Sequence, residues 1–310
     1  MRALVTGASG FVGRHLVAHL RAQGDQVLVC DRSHGERGND GSSWEIDITD
    51  AARTAEVVAE ARPEVIYHLA GWADVGGSWK APVAAFRANA EGTLNVLSAA
   101  TEVGVDRVLA VSSADVYGAV SEAELPLTEN APLRPTSPYA ASKVAADFLG
   151  LQAWLGCQLP VLRVRAFNHL GPGQTDKFVA AALASRIARN EQAGGDVLSI
   201  GNLSARRDFT DVRDVVRAYR LLMEAGQPGQ VYNVCSGTDV AVQDLADQLL
   251  AMARRPMRFE ADPDLLRPVD VPVLRGSHAR LTETTGWQPD IALDQTLRDL
   301  LDDWRTRVGT

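Results

Sequence analysis

Three polar residues in the middle of the chain have the types and spacing that proton transfer to an oxygen atom requires. Tyr139 and Lys143 lie four residues apart at the start of a predicted helix, so they share one helical face. The nearby ammonium is expected to favour the phenolate and to lower the tyrosine pKa towards the working range of an acid–base group. Ser113 follows a buried strand and could hydrogen-bond the same oxygen. A tyrosine–lysine pair alone is common, but its place after a strand ending in two serines makes it a strong signal.

Three glycines near the N-terminus form a second pattern with chemical meaning. Gly7, Gly10 and Gly13 follow an apolar strand directly and open a helix, which is the context that makes a glycine pattern a dinucleotide-binding signal. Gly7 permits the tight turn, Gly10 lets the backbone approach a pyrophosphate, and Gly13 lets helix and strand pack closely. The positive end of the helix would then face the anion.

Charged residues after the second strand predict the kind of dinucleotide. Asp31 ends that strand, where a carboxylate can accept hydrogen bonds from both ribose hydroxyls and would repel a 2′-phosphate, so NAD(H) is favoured. Arg32 keeps NADP(H) open, because a guanidinium can pair with that phosphate. Asp47 and Ile48 end a third candidate strand and could receive the adenine edge, although a plain turn fits there as well.

The hydrophobic pattern predicts the elements that must hold these groups. Continuous apolar strands alternate with segments of helical periodicity, which indicates a parallel sheet with helices on both faces. The strands are predicted at 3–5, 27–30, 65–69, 107–111 and 161–164, and the helical segments at 51–61, 82–103 and 138–156. The predicted fold class is therefore α/β, with a Rossmann-like doubly wound sheet.

The pattern weakens after about residue 170. Helices are predicted at 178–193, 242–254 and 292–306, with strands near 197–200 and 230–234. We assign residues 1–170 to an NAD(P)-binding Rossmann portion and residues 171–310 mainly to a smaller, mixed α/β substrate-binding portion. Segments near 205–235 are candidates to return to the Rossmann portion. Since no linker separates the two portions, they are expected to share a cleft beyond the carboxyl ends of the strands.

Composition excludes several classes of protein. The 310 residues include 31 Lys+Arg and 39 Asp+Glu, and a net charge of -8 argues against nucleic-acid or anionic-membrane binding by the whole surface. Cys30, Cys157 and Cys235 lie far apart and suggest neither a metal site nor a disulfide framework. With no signal peptide and no long apolar run, a soluble cytoplasmic protein is expected. An anionic ligand must then be held by a few local arginines.

Five motifs in order resemble those of the extended short-chain dehydrogenase/reductase family of nucleotide-sugar enzymes, and the resemblance spans essentially the whole chain. They lie at 6–13, 68–71, 89–93, 112–118 and 139–143. The resemblance implies that Tyr139 is the acid–base group, that Ser113 polarises the C4 oxygen of the sugar, and that Lys143 also holds the nicotinamide ribose. The cofactor contacts that it implies beyond the glycines are Phe11, Val12, Leu69, Ala70 and Asn89.

Within that family, the second half of the chain is similar to GDP-4-keto-6-deoxymannose reductases. The similar segments are 165–174, 201–212 and 266–272, with a more widely shared segment at 285–289. Arg207 and Arg267 lie on separate loops and could form bidentate pairs with a diphosphate. Asn168 offers a donor and an acceptor to the sugar phosphate, and Lys177 and Asn202 are further substrate-side candidates.

Two residues between Ser113 and Tyr117 bear on the reaction. Related 4,6-dehydratases place a glutamate base two positions before that tyrosine, often with an acidic or hydroxyl neighbour one residue earlier. This chain has Asp115 at the first of these positions and Ala114 at the second. Ala114 cannot protonate a leaving hydroxyl and Asp115 is one methylene shorter than the usual base, which argues against dehydration. The resemblance therefore implies NAD(P)H-dependent reduction of the C4 ketone of a GDP-4-keto-6-deoxyhexose to a GDP-6-deoxyhexose of the GDP-rhamnose type.

Two other functions remain open. An NAD-retaining nucleotide-sugar 4-epimerase uses the same serine, tyrosine and lysine, and Asp31 suits an enzyme that keeps NAD. An inactive NAD-binding regulatory module is the non-enzymatic alternative, against which the intact Ser113, Tyr139 and Lys143 argue. The resemblance also suggests a homodimer through segments near 90–103 and 139–155, where the apolar periodicity equally fits packing onto the sheet.

Overall fold

A seven-stranded parallel sheet forms the centre of the computed structural model, which describes residues 1–32, 42–262, 265 and 271–309. With strands numbered along the chain, the sheet has the order β10-β6-β5-β4-β1-β2-β3. Its strands are β1 (Arg2–Thr6), β2 (Gln26–Asp31), β3 (Ser43–Glu45), β4 (Val65–His68), β5 (Arg107–Ser113), β6 (Val161–Ala166) and β10 (Val231–Val234). The strand order reverses between β1 and β4, and this topological switch point is where such sheets bind ligands. The predicted α/β, Rossmann-like fold class is confirmed.

Eleven α-helices lie in the described part of the chain. They are α1 (Phe11–Ala22), α2 (Ala51–Ala61), α3 (Val75–Lys80), α4 (Pro82–Phe86), α5 (Gly92–Val103), α6 (Pro138–Cys157), α7 (Val179–Ala193), α8 (Val212–Ala225), α9 (Val242–Ala251), α10 (Ala279–Thr285) and α11 (Leu293–Gly309). One apolar layer joins α1, α8 and α10 to the sheet, and a second joins α2, α5 and α6 to its other face. None of these helices combines the length and the apolar character that crossing a lipid bilayer requires.

The helical segment predicted at 82–103 is interrupted in the structure. Between α4 and α5 the residues Arg87–Glu91 form a π turn, in which a backbone N–H bonds the carbonyl five rather than four residues earlier. The Thr93 hydroxyl donates to the Asn89 carbonyl at 2.5 Å. The Thr93 hydroxyl therefore bonds a backbone carbonyl of the helix at the point where α geometry changes to π geometry.

The second half of the chain forms two small sheets beside the main one. In the larger one, β9 (Arg206–Asp211) is flanked by β7 (Asn168–Leu170), β11 (Asp239–Ala241) and β13 (Val273–Leu274); in the other, β8 (Val197–Ile200) pairs with β12 (Arg258–Ala261). Helices α7, α9 and α11 share an apolar core with these strands. The sequence analysis did not identify β7, β9 or helix α8, although the apolar residues of α8 recur at helical spacing.

The loop 171–174 connects the two halves by contacts on both of its sides. From α1, Arg14 Nη2 donates to the Gly173 carbonyl (3.1 Å) and His15 Nε2 donates to the Pro172 carbonyl (2.7 Å). From α11, the Asp303 carboxylate accepts from the Gly173 amide at 2.9 Å, and Arg307 Nη1 donates to the Gln174 carbonyl at 3.1 Å. The first and the last helix of the described chain thus hold the same loop.

Candidate active site

The residues predicted to do chemistry meet at one edge of the main sheet. Strands β1, β2, β4 and β5 run parallel, so Thr6, Asp31, His68 and Ser113 end at the same edge. The first turn of α6 brings Tyr139 against this edge. Parallel strands with helices between them place their carboxyl ends together, which is why residues far apart in sequence converge here.

The glycine turn after β1 leaves no room for side chains. Gly7 has φ +72°, and a Cβ there would lie 2.8 Å from the backbone nitrogen of Ala70. A Cβ on Gly13 would lie 2.1 Å from the Gly7 carbonyl oxygen, and one on Gly10 would lie 3.1 Å from the same atom. The tight turn and the close helix–strand packing proposed for Gly7 and Gly13 are therefore present.

The turn forms a cradle that suits a dinucleotide. Gly10 precedes α1 with extended backbone and makes no side-chain capping bond, and Phe11 and Val12 form the start of that helix, half-buried. A helix N-terminus of this kind presents backbone N–H groups to an anion. Binding of a cofactor by these residues stays a prediction.

Asp31 lies beside the glycine turn. Its carboxylate accepts from the backbone amides of Ser9 (2.9 Å) and Arg32 (2.7 Å). Arg32 is exposed. Asp47 accepts from the Thr49 amide and hydroxyl, and these bonds, with smaller contributions from Arg32 and Arg87, hold the pKa of the Asp47 carboxyl below its usual value.

The segment around Asp47 and Ile48 is a turn in the structure. Strand β3 ends at Glu45, two residues before Asp47. Ile48 is buried, and its carbonyl accepts from Asn95 Nδ2 of α5 at 2.8 Å. Of the two readings that the sequence left open, the plain turn describes the local backbone, and an adenine contact there stays a prediction.

Ser113 lies close enough to Tyr139 for its hydroxyl to lower the pKa of the phenol. Ser113 is the last residue of β5, and its Oγ accepts from the Asp115 backbone amide at 3.2 Å. Tyr139 is the second residue of α6, and its amide donates to Ser78 Oγ at 3.2 Å. Lys143 lies one turn further along the same helix and donates from Nζ to the Val111 carbonyl at 3.0 Å. The structure thus brings the predicted serine, tyrosine and lysine to one place.

The expected lowering of the Tyr139 pKa is wrong for this structure. Burial raises the pKa of Tyr139, the charge of Asp115 raises it further, and the Ser113 hydroxyl opposes both only in part. Burial also lowers the pKa of Lys143 to about 8. Because both groups are removed from water, each favours its neutral form. Tyr139 therefore carries its proton at neutral pH and is suited to donate it.

Asn89 lies deep at the back of the site. Its side-chain oxygen accepts from the Trp72 amide (2.8 Å), and its nitrogen donates to Ser142 Oγ (2.8 Å) and to the Trp72 carbonyl (3.2 Å). Asn89 thus joins the loop after β4 to the helix that carries Tyr139. Leu69 and Ala70, in the same loop, are half-buried.

The sequence analysis missed the histidine behind these residues. His68 is buried at the end of β4, with Nδ1 at 2.8 Å from Thr6 Oγ1 and Nε2 at 3.0 Å from Thr93 Oγ1. It lies within one of the recognised family motifs, at 68–71. Its position as the last residue of a fully buried strand that ends at the ligand edge was the signal available in the sequence.

The substrate-side candidates lie in the second half and are more exposed. Asn168 starts β7 beside Phe209 of β9. The half-buried Arg207 lies two residues earlier in β9, so its predicted place on a loop is wrong: pairing with β7, β11 and β13 makes this segment a strand. The small sheet thus brings these two candidates to neighbouring strands. Lys177 and Asn202 are exposed, and the Asn202 side chain accepts from the Ser204 amide at 3.0 Å. Arg267 lies outside the described residues.

Comparison with known proteins identifies the class. The model of the GDP-mannose 4,6 dehydratase family matches residues 4–300, so the chain belongs to this family of nucleotide-sugar enzymes. The chain is 40% identical over 309 residues to a GDP-6-deoxy-D-mannose reductase of Pseudomonas aeruginosa, covering 99% of this chain and 98% of the relative. The family membership agrees with the resemblance that the five motifs predicted.

Two solved structures share the whole fold. RMD from Pseudomonas aeruginosa, complexed with NADPH, is 38% identical and has a TM-score of 0.88, with 99% of this chain and all of that chain covered. A UDP-glucose 4-epimerase from Thermus thermophilus, in complex with NAD, is 30% identical with the same TM-score, covering 98% of this chain and 99% of that one. Proteins of this fold thus hold either nicotinamide dinucleotide.

Proposed function

We propose that this protein reduces the C4 ketone of a GDP-4-keto-6-deoxyhexose to a GDP-6-deoxyhexose of the GDP-rhamnose type, with NAD(P)H. The observation that carries the proposal is the position of Ser113 beside the buried Tyr139, one helical turn from Lys143, at the ligand edge of the sheet. A ketone reduction needs a proton donor of this kind at the oxygen. The 40% identity to the GDP-6-deoxy-D-mannose reductase supports the choice of substrate.

The residues of this chain divide the work as follows. Tyr139 gives its proton to the C4 oxygen, and Ser113 hydrogen-bonds the same oxygen and aligns it. Lys143 holds the nicotinamide ribose. Because burial lowers its pKa to about 8, Lys143 can also return a proton towards Tyr139 near neutral pH. The bound cofactor supplies the hydride that adds to the sugar carbon. The tight cradle at Gly7 and Gly13 suits the pyrophosphate of that cofactor.

The segment after Ser113 favours reduction over the dehydration for which the family model is named. Ala114 is buried and carries no group that can protonate a leaving hydroxyl. Burial raises the pKa of Tyr139, and the charge of Asp115 adds to this shift, so both favour the protonated form that a proton donor requires. The site therefore offers Tyr139 as the acid for the C4 oxygen, and position 114 offers no second acid for a leaving hydroxyl.

The cofactor proposal follows from Asp31 and Arg32. Asp31 lies against the glycine turn at Ser9, where a ribose would meet its carboxylate, and this favours NAD(H). Arg32 is exposed beside it and offers a partner for a 2′-phosphate, so NADP(H) remains the second candidate.

For the substrate, we propose that Arg207 and Arg267 pair with the diphosphate and that Asn168, Lys177 and Asn202 contact the nucleotide sugar. The adjacency of Asn168 and Arg207 in the small sheet supports the first part. The corresponding division of labour assigns residues 1–170 to the cofactor and 171–310 mainly to the sugar nucleotide. Strand β10 and helix α8, which pack with the main sheet, support a return of the segment near 205–235 to the Rossmann portion.

We also propose a homodimer. Five large apolar side chains on α4, α5 and α6 are between 44% and 71% exposed, and a second copy would cover them. They are Val83, Phe86, Leu94, Phe148 and Leu155. Sedimentation of the purified protein at twice the monomer mass would support the dimer, and a monomer would contradict it.

We also propose a cytoplasmic location. Thiols stay reduced there, which agrees with the free Cys30, Cys157 and Cys235.

The second candidate function is a 4-epimerase, which the similarity to a UDP-glucose 4-epimerase of the same fold supports. The decisive experiment separates the reductase from the epimerase. The purified protein is incubated with GDP-4-keto-6-deoxymannose and NADH or NADPH, and the loss of reduced nicotinamide absorbance is followed. A reductase oxidises one equivalent of cofactor per sugar reduced. Tightly retained NAD, with no net oxidation of added NADH or NADPH, would overturn the reductase and favour the epimerase.

A further inference from the structure

A chain of buried hydrogen bonds crosses the sheet edge behind the glycine turn. It runs from the Ala70 amide to Thr6 Oγ1 (3.1 Å), on to His68 Nδ1 (2.8 Å), from His68 Nε2 to Thr93 Oγ1 (3.0 Å), and ends at the Asn89 carbonyl (2.5 Å). Thr6, His68 and Thr93 are all at most 4% exposed. The chain joins the cofactor turn after β1 to helix α5.

The direction of every proton in this chain follows from its two ends. A carbonyl only accepts, so the Thr93 hydroxyl donates to Asn89, and its oxygen must accept from His68 Nε2–H. At the other end the Thr6 oxygen accepts from the Ala70 amide. The Thr6 hydroxyl hydrogen has an acceptor in this chain when His68 Nδ1 carries no hydrogen. The neutral Nε2–H form of His68 therefore gives every hydrogen of the chain a partner.

The environment of His68 agrees with that form. Burial, with a smaller contribution from the charge of Lys143, lowers the pKa of His68 to about 3. In a charged imidazole both nitrogens would donate, and the Thr6 hydroxyl hydrogen would lose its acceptor at His68 Nδ1. His68 thus acts as a neutral bridge with one donor and one acceptor.

The chain ends at a backbone carbonyl inside the π turn. Thr93 lies four residues after Asn89, and its hydroxyl donates to the Asn89 carbonyl within the turn Arg87–Glu91. From this turn the Asn89 side chain hydrogen-bonds the Trp72 amide and Ser142 Oγ. Without the Thr93 bond, an ordinary helical turn becomes competitive and the Asn89 side chain would point elsewhere.

Asn89 in turn holds the start of α6. Its nitrogen donates to Ser142 Oγ, and the Ser142 hydroxyl donates to the Tyr139 carbonyl at 2.6 Å. The loop residue Gly71 fits tightly against it, since a Cβ there would lie 2.5 Å from Asn89 Oδ1 and 3.7 Å from Lys143 Nζ. A shift of Asn89 would therefore move the first turn of α6, which carries Tyr139, and would also move Gly71 next to Lys143.

We propose that His68 and Thr93 are positioning residues for proton transfer, acting by holding Asn89 in the π turn so that the first turn of α6 presents Tyr139 and Lys143 correctly. Neither residue needs to touch substrate or cofactor for this role. The proposal rests on the proposed function only for the identity of the reaction, because the hydrogen-bond chain is a property of the protein alone.

The first test changes Thr93 in two ways. Thr93→Val keeps the shape and removes the hydroxyl, and we expect kcat for reduction of GDP-4-keto-6-deoxymannose to fall about 10-fold to 100-fold with KM nearly unchanged, as for a misplacement of about 1 Å. Thr93→Ser restores the hydroxyl and should recover most of kcat. An unchanged kcat in Thr93→Val, or no recovery in Thr93→Ser, would overturn the proposal.

The same helix provides a matched control. Thr101 of α5 also donates from Oγ1 to the carbonyl four residues earlier, Leu97, at 2.8 Å, but it contacts no histidine in the described structure. Thr101→Val should therefore leave kcat as in the wild type. An equal loss in Thr101→Val would show that a hydroxyl anywhere on α5 matters and that His68 has no special role.

The second test needs no turnover. With 15N-labelled histidine, His68 should show a protonated Nε2 and a bare Nδ1 in the wild type, and the Asn89 side-chain amide should exchange about tenfold faster with solvent in Thr93→Val than in Thr93→Ser. A protonated Nδ1, or equal exchange in both variants, would overturn the proposal. If the protein failed to reduce the GDP-sugar while these signals appeared as expected, the proposed function would fail and the positioning role would stand.

Discussion

The two halves of the site are built differently. On the cofactor side, Tyr139, Asn89 and His68 lie buried, each with hydrogen bonds to neighbouring protein groups, and Ser113 beside them is half-buried. On the substrate side, the proposed contacts Lys177 and Asn202 are exposed, and Arg207 is half-buried. The groups proposed for proton transfer are therefore ordered by the protein, whereas the groups proposed for substrate recognition have fewer protein contacts to order them and are expected to become ordered when substrate binds.

The charged groups show the same contrast. Asp147 of α6 is fully buried and binds both Arg163 (2.6 Å) and Arg165 (2.9 Å) of β6. On the other side, Asp294 and Arg298 of α11 form an ion pair that is about half exposed at both ends. Burial makes a broken pair costly, while water replaces a broken surface pair at little cost.

The largest loss of activity is expected for a substitution of Tyr139 on the cofactor side. Tyr139→Phe removes the proton donor and should lower kcat about 10²-fold to 10⁴-fold. Dinucleotide affinity, measured by fluorescence titration with NADH, should stay close to that of the wild type because the ring remains in place. Turnover at the wild-type rate would show that another group supplies the proton.

The next effect tests the buried ion pairs. Asp147→Asn leaves two buried guanidinium groups without their counter-charge, and we expect a loss of about 3–5 kcal/mol in the free energy of unfolding. Urea denaturation of the purified variant measures this loss. Stability equal to the wild type would mean that the charge of Asp147 is not needed to hold α6 on β6.

A smaller effect is expected at Arg207. Arg207→Ala should raise KM for the GDP-sugar about 10-fold to 100-fold, because one charge-assisted pair with the diphosphate is lost, while kcat changes little. The neighbouring Arg206 is exposed and pairs with Asp239, and Arg206→Ala serves as the control with KM unchanged. A fall in kcat alone for Arg207→Ala would place this arginine in the chemistry instead of in substrate binding.

The smallest effect is expected at the exposed pair on α11. Asp294→Asn breaks the contact with Arg298, and since water solvates both groups, the denaturation midpoint should match that of the wild type within error. This variant is also the control for Asp147→Asn, because both replace an aspartate that pairs with arginine. Similar losses in the two variants would remove the distinction between the two sides.

Much of the cofactor side could be predicted because its signals are local. Gly7 and Gly13 follow a strand directly, and Tyr139 and Lys143 share a helical face, so a short stretch of sequence contains each pattern. The Tyr139 pKa could not be predicted, since it depends on burial and on Asp115, which the fold brings close. The His68–Thr93 bond likewise joins residues 25 positions apart and leaves no periodic trace in the sequence.

The substrate side was harder to predict for a different reason. Strands β7 and β11 have three residues each and β13 has two, which is too short for an alternating pattern to show. Their pairing with β9 is set by the tertiary fold. The placement of Asn168 next to β9 therefore became visible only in the structure.

The contacts of the loop 171–174 restrict how this protein could be recombined with its relatives. Arg14 and His15 reach the loop from one side, and Asp303 and Arg307 reach it from the other. A chimera that exchanges the sugar-binding half for that of another nucleotide-sugar enzyme would join foreign partners at this loop. Such a transplant should succeed only when α1, the loop and α11 come from the same parent.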